Sequence, residues 1–143
     1  MKFATKALVT GLLMSATVVF AGKSTDPDAK ARQTLMDTIG MNTGILGNMA
    51  GGKASFDAAQ AEAAKAALIA AAGMIPAVFE PKGTDAESKA KPEIWINWDD
   101  FLADANGLAK AATALDASTV EGVQAGMAGL GGACKDCHTE YKL

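Results

Sequence analysis

The chain has 143 residues, of which half are hydrophobic and a fifth are charged, and its formal net charge is −3 at pH 7. This length suits one domain, and the acidic balance argues against nucleic acid or an anionic membrane as a partner. Because the sequence holds one histidine, any metal site with two histidine ligands is excluded.

Residues 1–21 have the pattern of a secretory signal peptide. Lys2 and Lys6 give a basic start, Ala7–Phe20 is apolar but too short for a typical membrane span, and small residues follow at the cleavage position. We therefore expect export to the periplasm and a mature domain at residues 22–143 that is free of the membrane. An uncleaved anchor is the alternative.

The mature sequence is rich in Ala, Leu and Met and has no stretch that alternates polar and β-branched residues, which predicts an all-α fold. Asp26 as N-cap and Pro27 at the first helical position open a helix that runs to about Ala50, where two glycines stop it. Ser55 is the candidate cap of an alanine-rich second helix, which we expect to kink or break near Pro76.

A polar stretch between Pro81 and Pro92 predicts the long crossover loop of the domain. A third helix is expected from about Asn97 to near Asp116. Its buried side consists of apolar residues at helical spacing: Trp98, Phe101, Leu102, Ala105, Leu108, Ala112 and Leu115.

The fourth helix has the clearest pattern. Ser118 and Glu121 form a candidate capping box. The apolar residues that follow are alternately three and four apart: Val120, Val123, Met127, Leu130, Cys134, Cys137 and Tyr141. Both cysteines therefore lie on the face that we expect to pack against the other helices.

Small residues precede the cysteines on this helix: Gly126, Gly129, Gly131, Gly132 and Ala133. The glycines lower helix propensity, so their presence needs a reason. They either let a flat ligand approach the backbone, or they reflect tight helix packing or fraying.

The run Cys134-Lys135-Asp136-Cys137-His138 is the attachment signature of c-type haem. The two thiols bond to the haem vinyl groups and the imidazole ligates the iron; positions three and four apart share one helix face, so all three side chains can reach one flat ligand. A redox dithiol or disulfide would normally open the first helix of a βαβ unit, and a structural zinc ion needs a fourth ligand. The motif predicts one covalent haem c, with thioether bonds to Cys134 and Cys137 and with His138 on the iron.

The other face of the iron is open or carries a methionine. Arg32, Gln33 and Met36 share a helix face at spacings of three and four. This suits a haem edge, with the guanidinium near a propionate and the thioether over the iron. The alternative is an arginine and a glutamine on a solvated face.

Three motifs together resemble the cytochrome c′ family, also called the class II cytochromes c. They are Arg-Gln-x-Leu-Met in the first helix, Lys-Pro-Glu-Ile-Trp at Lys91 to Trp95, and the closing Cys-x-x-Cys-His-x-x-Tyr-Lys. The resemblance covers essentially the whole mature chain. It implies an antiparallel four-helix bundle that binds haem near the end of the fourth helix.

By this resemblance, Arg32 and Gln33 contact the haem and Met36 occupies the distal position. The loop ahead of the Lys-Pro motif approaches the haem in this family, which would put Ser88 and Lys89 near a propionate. The family usually has arginine four residues after the histidine.

This chain has Lys142 at that position. The positive charge is kept and the planar bidentate donor is lost.

The resemblance implies a periplasmic haem protein that is not an enzyme, and that transfers electrons with a redox partner protein, binds NO or CO, or does both. If Met36 ligates the iron, the haem is six-coordinate and low-spin, and the protein is purely an electron carrier. If Met36 only packs over the iron, the site is five-coordinate and open to gases, which Arg32-Gln33 favours. A haem-free helical module with a Cys-x-x-Cys disulfide is the remote alternative.

The resemblance also implies a possible homodimer through the first two helices. The small residues Ala59, Ala63, Ala66 and Ala70 of the second helix permit close packing of that kind, or they serve the interior of the bundle. Asp99 and Asp100 suit the first turn of a helix, where negative charge is favoured, and do not indicate a catalytic dyad.

Overall fold

A computed structural model of the chain describes residues 23–143. The predicted leader at residues 1–21, and the predicted start of the mature domain, lie outside the described residues. Four long helices and one short helix make up the described part. In chain order they are α1 (Pro27–Ala50), α2 (Ala58–Phe79), α3 (Glu93–Ile96), α4 (Trp98–Ala114) and α5 (Val120–Tyr141).

The long helices form an antiparallel bundle, as predicted. α1 packs against α2 and α5, and α4 packs against the same two helices, so α1 lies diagonally opposite α4. Short connections join α1 to α2 and α4 to α5, whereas the long connection between Phe79 and Glu93 crosses one end of the bundle. The start of α1 and the end of α5 meet at that end, beside the long loop.

α1 has the bounds that its turn signals predict. The Asp26 carboxylate accepts a hydrogen bond from the backbone N–H of Ala29 at 2.9 Å, and Pro27 takes the first helical position. The helix ends at Ala50, and the N–H of the following glycine donates back to the carbonyl of Gly47.

α2 differs from its prediction at both ends. Its N-cap is Asp57, whose carboxylate accepts a first-turn N–H at 2.9 Å, and not Ser55. The helix also continues through Pro76 to Phe79, so the predicted break is wrong. Proline removes one donor close to the helix end, and the N–H of Glu80 still donates to the Pro76 carbonyl at 3.0 Å.

The two remaining long helices, α4 and α5, begin or end within one or two residues of their predicted bounds. α3 was not predicted, because four residues carry no periodic signal. α4 begins at Trp98 and ends at Ala114, short of the predicted end near Asp116. Thr119, and not Ser118, caps α5 by accepting a backbone N–H at 3.0 Å, while the Ser118 hydroxyl donates to the Asp116 carboxylate.

The predicted inner face of α5 is confirmed. Val123, Leu130 and Tyr141 are buried, while Met127, Cys134 and Cys137 are partly buried and pack against the core. The predicted inner face of α4 is also in the core, with Phe101 almost fully buried.

An aromatic cluster closes the bundle at the end of α5. The Phe101 ring lies 5.2 Å from that of Phe79, 5.4 Å from Trp98 and 5.3 Å from Tyr141 between centroids. Pairs at these distances add to the burial of their apolar area. The cluster forms a rigid support under the last turns of α5.

The alanines of α2 divide between two faces. Those that serve the interior are Ala61, Ala64, Ala71 and Ala72. The four singled out from the sequence, Ala59, Ala63, Ala66 and Ala70, are all exposed, so an interior role for them is wrong. α2 is long and apolar enough to cross a membrane by length and composition alone, as the core helix of a soluble bundle can be.

Candidate haem-binding site

The Cys-x-x-Cys-His motif occupies the last two turns of α5. Cys134 and Cys137 are partly buried against the core, and no disulfide joins them. His138 is exposed over much of its surface, yet it lines two cavities that reach into the bundle. The three side chains therefore share the face that the helical spacing predicts.

The environment of the two thiols is unlike that of a redox dithiol. Burial raises the pKa of Cys134, and burial together with the Asp104 and Cys134 groups raises the pKa of Cys137 to about 11. Reactive Cys-x-x-Cys thiols have pKa values lowered to about 3.5–7.5. These raised pKa values argue against a reactive redox dithiol at this site.

The two cavities are adjoining parts of one cleft. Their volumes are about 250 Å³ and about 370 Å³. Both are lined by Met36, Cys137 and His138, so the cavities meet at these three side chains. The other lining groups are mostly apolar and come from all four long helices; they include Phe79, Ile94, Phe101, Ile39, Ile75 and Leu108.

The predicted distal residue lies in this cleft. Met36 is partly buried and packs against the core from α1, the neighbour of α5. Because it lines both cavities with His138, the thioether and the imidazole border the same space. The structure therefore brings together the two residues that the sequence analysis named as axial candidates.

Arg32 and Gln33 also line the first cavity, but most of their hydrogen-bonding groups are directed elsewhere. The Arg32 guanidinium donates to the carbonyls of Pro81 and Gly83 in the long loop, and it lies over the Trp95 ring at 5.3 Å. The solvated-face alternative is wrong for Arg32, of which 3% is exposed.

Gln33 forms hydrogen bonds with the long loop and with Ser24, which lies just ahead of α1. Its amide donates to the Ser24 hydroxyl at 3.1 Å and to the Glu87 carbonyl at 3.2 Å, and it accepts the Ser24 N–H at 3.0 Å. Both N–H donors of the Gln33 amide are therefore in use, which leaves the aliphatic part of the side chain and one acceptor lone pair for any other contact.

The long loop supplies Ser88 and Lys89 to the first cavity. Ser88 is buried, and the Lys89 carbonyl accepts the N–H of Leu143 at 2.9 Å. Ala90 pairs with Lys142 in an isolated antiparallel bridge. The loop and the C-terminal residues thus form one edge of the cleft, and the position of Ser88 and Lys89 near a propionate stays a prediction.

Lys91 is a site-supporting residue that the sequence analysis quoted in a motif without assigning a role. Its ammonium donates to the carbonyls of Thr139 and Glu140 at 3.2 Å and 3.0 Å, and its N–H donates to the Tyr141 carbonyl at 3.0 Å. These bonds satisfy carbonyls that the end of α5 leaves free. Lys91 therefore fixes the turn that carries His138.

The surroundings of His138 favour its neutral form, which is the form that can ligate a metal. Burial and the Lys142 charge lower the pKa of His138, so the ring is neutral at neutral pH. Lys142 lines the first cavity, where it keeps the positive charge of the arginine that the family usually has.

Asp104 is a second residue that the sequence analysis missed. It lines the second cavity from α4. Burial and the nearby charges of Asp136, Asp100 and Glu140 raise its pKa. The signal that could have found it is its spacing of three from Phe101, which puts it at the border of the buried face of α4.

The cleft fits a haem group. Among the residues that the structure describes, two buried polar side-chain atoms have no hydrogen-bond partner, and both belong to residues that line the cleft: Arg32 Nε and Thr43 Oγ1. Such atoms are costly unless a bound group or water satisfies them. An apolar cleft with a cationic edge is also the environment that a macrocycle with two propionates requires.

Other metals fit less well. Across residues 23–143, no three His, Cys, Asp or Glu side chains are grouped to hold a metal ion. A structural zinc ion needs four such ligands, whereas haem iron needs one from the protein.

The glycines before the motif have different surroundings. A Cβ at Gly126 would lie 2.6 Å from Leu115 Cγ, so this glycine serves close helix packing. Gly131 and Gly132 have no other protein group within 4 Å of such a Cβ. Helix packing therefore explains Gly126 but not these two.

A four-helix bundle with a Cys-x-x-Cys-His motif on its last helix, facing an apolar cleft, defines a class II c-type cytochrome. The family model for cytochrome c′ matches residues 28–142. The chain therefore belongs to the cytochrome c′ family, whose cofactor is covalent haem c.

Relatives support the same assignment. The chain is 35% identical to the cytochrome c-556 of Agrobacterium fabrum, over all of this chain and 96% of the relative. The solved cytochrome c′ of Rubrivivax gelatinosus is 31% identical, with a TM-score of 0.71 over 81% of this chain and 97% of that one. A nitric oxide complex of a variant cytochrome c prime from Alcaligenes xylosoxidans is 26% identical, with a TM-score of 0.71 over 80% and 93% of the two chains.

Proposed function

We propose that this chain is a periplasmic cytochrome c′ that binds small gases such as NO and CO at one haem c and exchanges single electrons with a redox partner protein. The observation that carries the proposal is the pair of cavities that meet at Met36, Cys137 and His138. When bound, the haem supplies the one-electron couple of its iron and the position at which a gas binds.

In this proposal the motif residues attach and ligate. Cys134 and Cys137 would form the thioether bonds, for which their partly buried positions on one helix face are suited. His138 supplies the axial nitrogen, and the lowered pKa keeps that nitrogen available.

The polar edge of the cleft receives the propionates. Arg32 Nε and the Lys89 and Lys142 ammonium groups are the cations that border the first cavity, and the Ser88 hydroxyl is the neutral donor beside them. Charge-assisted hydrogen bonds of this kind hold a carboxylate more strongly than neutral ones.

Met36 acts as the distal packing residue. It is set among apolar side chains of α1 and α2, and a thioether donates no hydrogen bond. An apolar pocket of this kind accepts NO and CO. The nitric oxide complex of the Alcaligenes protein supports the proposal through the shared family.

A second candidate function is pure electron transfer by a six-coordinate haem with His138 and Met36 as ligands. The observation that favours it is that these two side chains border both cavities. In that case no position is free for a gas.

The test is production of the protein in a bacterial host that attaches haem c in the periplasm. We expect an intact mass that equals the chain from about residue 22 plus one haem, and recovery in the periplasmic fraction. Changing Cys134 and Cys137 to serine together should abolish covalent haem. A CO titration of the ferrous protein then separates the two candidate functions, since we expect a methionine-ligated six-coordinate haem to leave no position free for CO.

A homodimer through α1 and α2 is part of the proposal. The exposed alanines of α2 permit close approach of a second copy, and Met41 of α1 and Met74 of α2 add exposed apolar surface, at 61% and 54%. Sedimentation of the haem-loaded protein gives the mass in solution, and a monomer at all concentrations would contradict this part.

A further inference from the structure

The Asp85 carboxylate joins two segments that are far apart in the sequence. Its Oδ2 accepts the N–H groups of Thr25 and Asp26 at 2.7 Å and 3.0 Å, and its Oδ1 accepts the Ser24 hydroxyl at 2.8 Å. Oδ1 also accepts the N–H of Glu87 at 3.0 Å, within the long loop. One side chain therefore fixes the loop to the residues just ahead of α1.

The neighbouring contacts also hold the long loop against the start of α1. The Asp28 carboxylate accepts the Gly83 N–H at 3.1 Å, and Arg32 donates to the Gly83 carbonyl. Gly83 lies so close to the start of α1 that a Cβ there would be 2.5 Å from Asp28 and 2.6 Å from Asp26. The loop is therefore pressed against the start of α1.

The hydrogen bonds from the Asp26 N–H and the Ser24 hydroxyl hold the pKa of Asp85 well below its usual range. The carboxylate is thus ionised at neutral pH and accepts all four bonds. Hydrogen bonds to a charged acceptor are stronger than those to a neutral one.

This clamp lies next to the cleft. The carbonyl of Asp85 accepts the N–H of Ser88 at 3.1 Å, and Ser88, Lys89 and Ala90 line the first cavity together with His138. A shift of the loop at Asp85 would therefore move that wall of the cavity.

We propose that Asp85 is a positioning residue for the haem site: by clamping the long loop to Ser24–Asp26, it holds the Ser88–Ala90 wall over the haem edge and keeps water from it. The inference rests on the proposed function, because it takes haem as the group in the cleft. Asp85 acts through the loop backbone and needs no contact with the haem.

The test uses Asp85→Glu and Ser24→Ala, because neither variant changes the net charge. The first displaces the carboxylate by one methylene, and the second removes the hydroxyl that bonds to it. Asp116→Glu is the matched control. The Asp116 carboxylate also accepts two hydrogen bonds within a loop, both from Ser118. This loop lies at the other end of the bundle, and Asp116 lines neither cavity.

Two readouts are measured on the haem-loaded proteins. We expect amide exchange at Thr25, Asp26 and Glu87 to be about tenfold faster or more in both Asp85 and Ser24 variants. We also expect a lower midpoint potential, because greater exposure to water favours the more highly charged ferric state. The control should match the wild type in both readouts.

Faster exchange with an unchanged potential would overturn the proposal, because it would show a clamp that does not position the haem site. Unchanged exchange in both variants would overturn it as well. Absence of covalent haem from the wild-type protein would instead refute the proposed function, so the two failures are distinguishable. If Asp85→Glu does not fold, Ser24→Ala alone decides.

Discussion

Met36 on α1 and His138 on α5 border the same two cavities, although they come from opposite ends of the chain. α1 and α5 are neighbours in the bundle, so a flat group held by α5 has α1 as one of its walls. In the proposed function, Met36 is the residue that decides between an open iron and a six-coordinate one.

Replacing Met36 by leucine tests whether its sulfur ligates the iron or only packs over it. Leucine conserves volume and removes the sulfur, so a packing role predicts an unchanged spin state and only a small change in CO affinity. Met41→Leu, at an exposed position of the same helix, is the control. Ferric and ferrous absorption spectra give the result, and a change from low spin to high spin in Met36→Leu would show that the sulfur ligates.

Replacing His138 by alanine should separate attachment from ligation. Cys134 and Cys137 remain, so we expect the mass of the covalent haem adduct to be retained while the Soret band shifts through loss of the axial nitrogen. Lys135→Ala, on the exposed side of the same turn, should leave the spectrum unchanged. A wild-type spectrum in His138→Ala would mean that another group holds the iron.

Two glycines of α5 should respond in opposite directions to alanine. At Gly126 the new methyl would meet Leu115 Cγ at 2.6 Å and Cβ at 2.9 Å, so the side chain end cannot simply move aside. We expect a loss of about 1–3 kcal/mol in unfolding free energy. Gly131 is exposed, lines neither cavity, and has open space around it, so alanine there should add about 0.5–1 kcal/mol.

Thermal unfolding of the haem-loaded variants measures both changes, as melting temperatures that move several degrees apart. Equal effects at the two positions would contradict the packing role of Gly126.

Asp104→Asn should stabilise the protein at neutral pH. Burial and the charges of Asp136, Asp100 and Glu140 raise the pKa of Asp104 in the folded state, so its ionised form costs stability above that pKa. The gain should shrink as the pH falls through the raised pKa of the folded state, and it should be absent below about 3.9, the ordinary pKa, where the carboxyl is protonated in both states.

We expect a gain below about 1 kcal/mol, because Asp104 is only partly buried and solvent screens its interactions. Melting temperatures between pH 3 and pH 7 check the sign, with Glu62→Gln on the exposed face of α2 as control. A gain that grows at acid pH would refute this cause.

The fold and the centre of the site follow from local patterns in the sequence. Helical spacing predicts the inner face of α5, and the capping residues of α1 fix its bounds. The break that was one of two expected outcomes at Pro76 is absent because the rule for proline considers only local bonds, whereas Phe79 is held by the core. The cap at Thr119 was mispredicted because two adjacent residues could supply it.

What the sequence could not show is which segments meet. The partners of Asp85 lie about sixty residues away in the chain, and no local pattern pairs a loop carboxylate with the start of α1. For the same reason, Arg32 was assigned to a propionate while its guanidinium also holds the loop carbonyls of Pro81 and Gly83. Of the three guanidinium nitrogens of Arg32, Nε is the one without a hydrogen-bond partner among the described residues.

The most direct test of the account is the absorption spectrum of the ferrous, haem-loaded protein before and after CO is added. A five-coordinate haem on His138, with Met36 only packed over the iron, predicts a high-spin ferrous spectrum whose Soret band shifts when CO binds. A low-spin ferrous spectrum that CO leaves unchanged would contradict gas binding and would make His138 and Met36 the two axial ligands of an electron carrier.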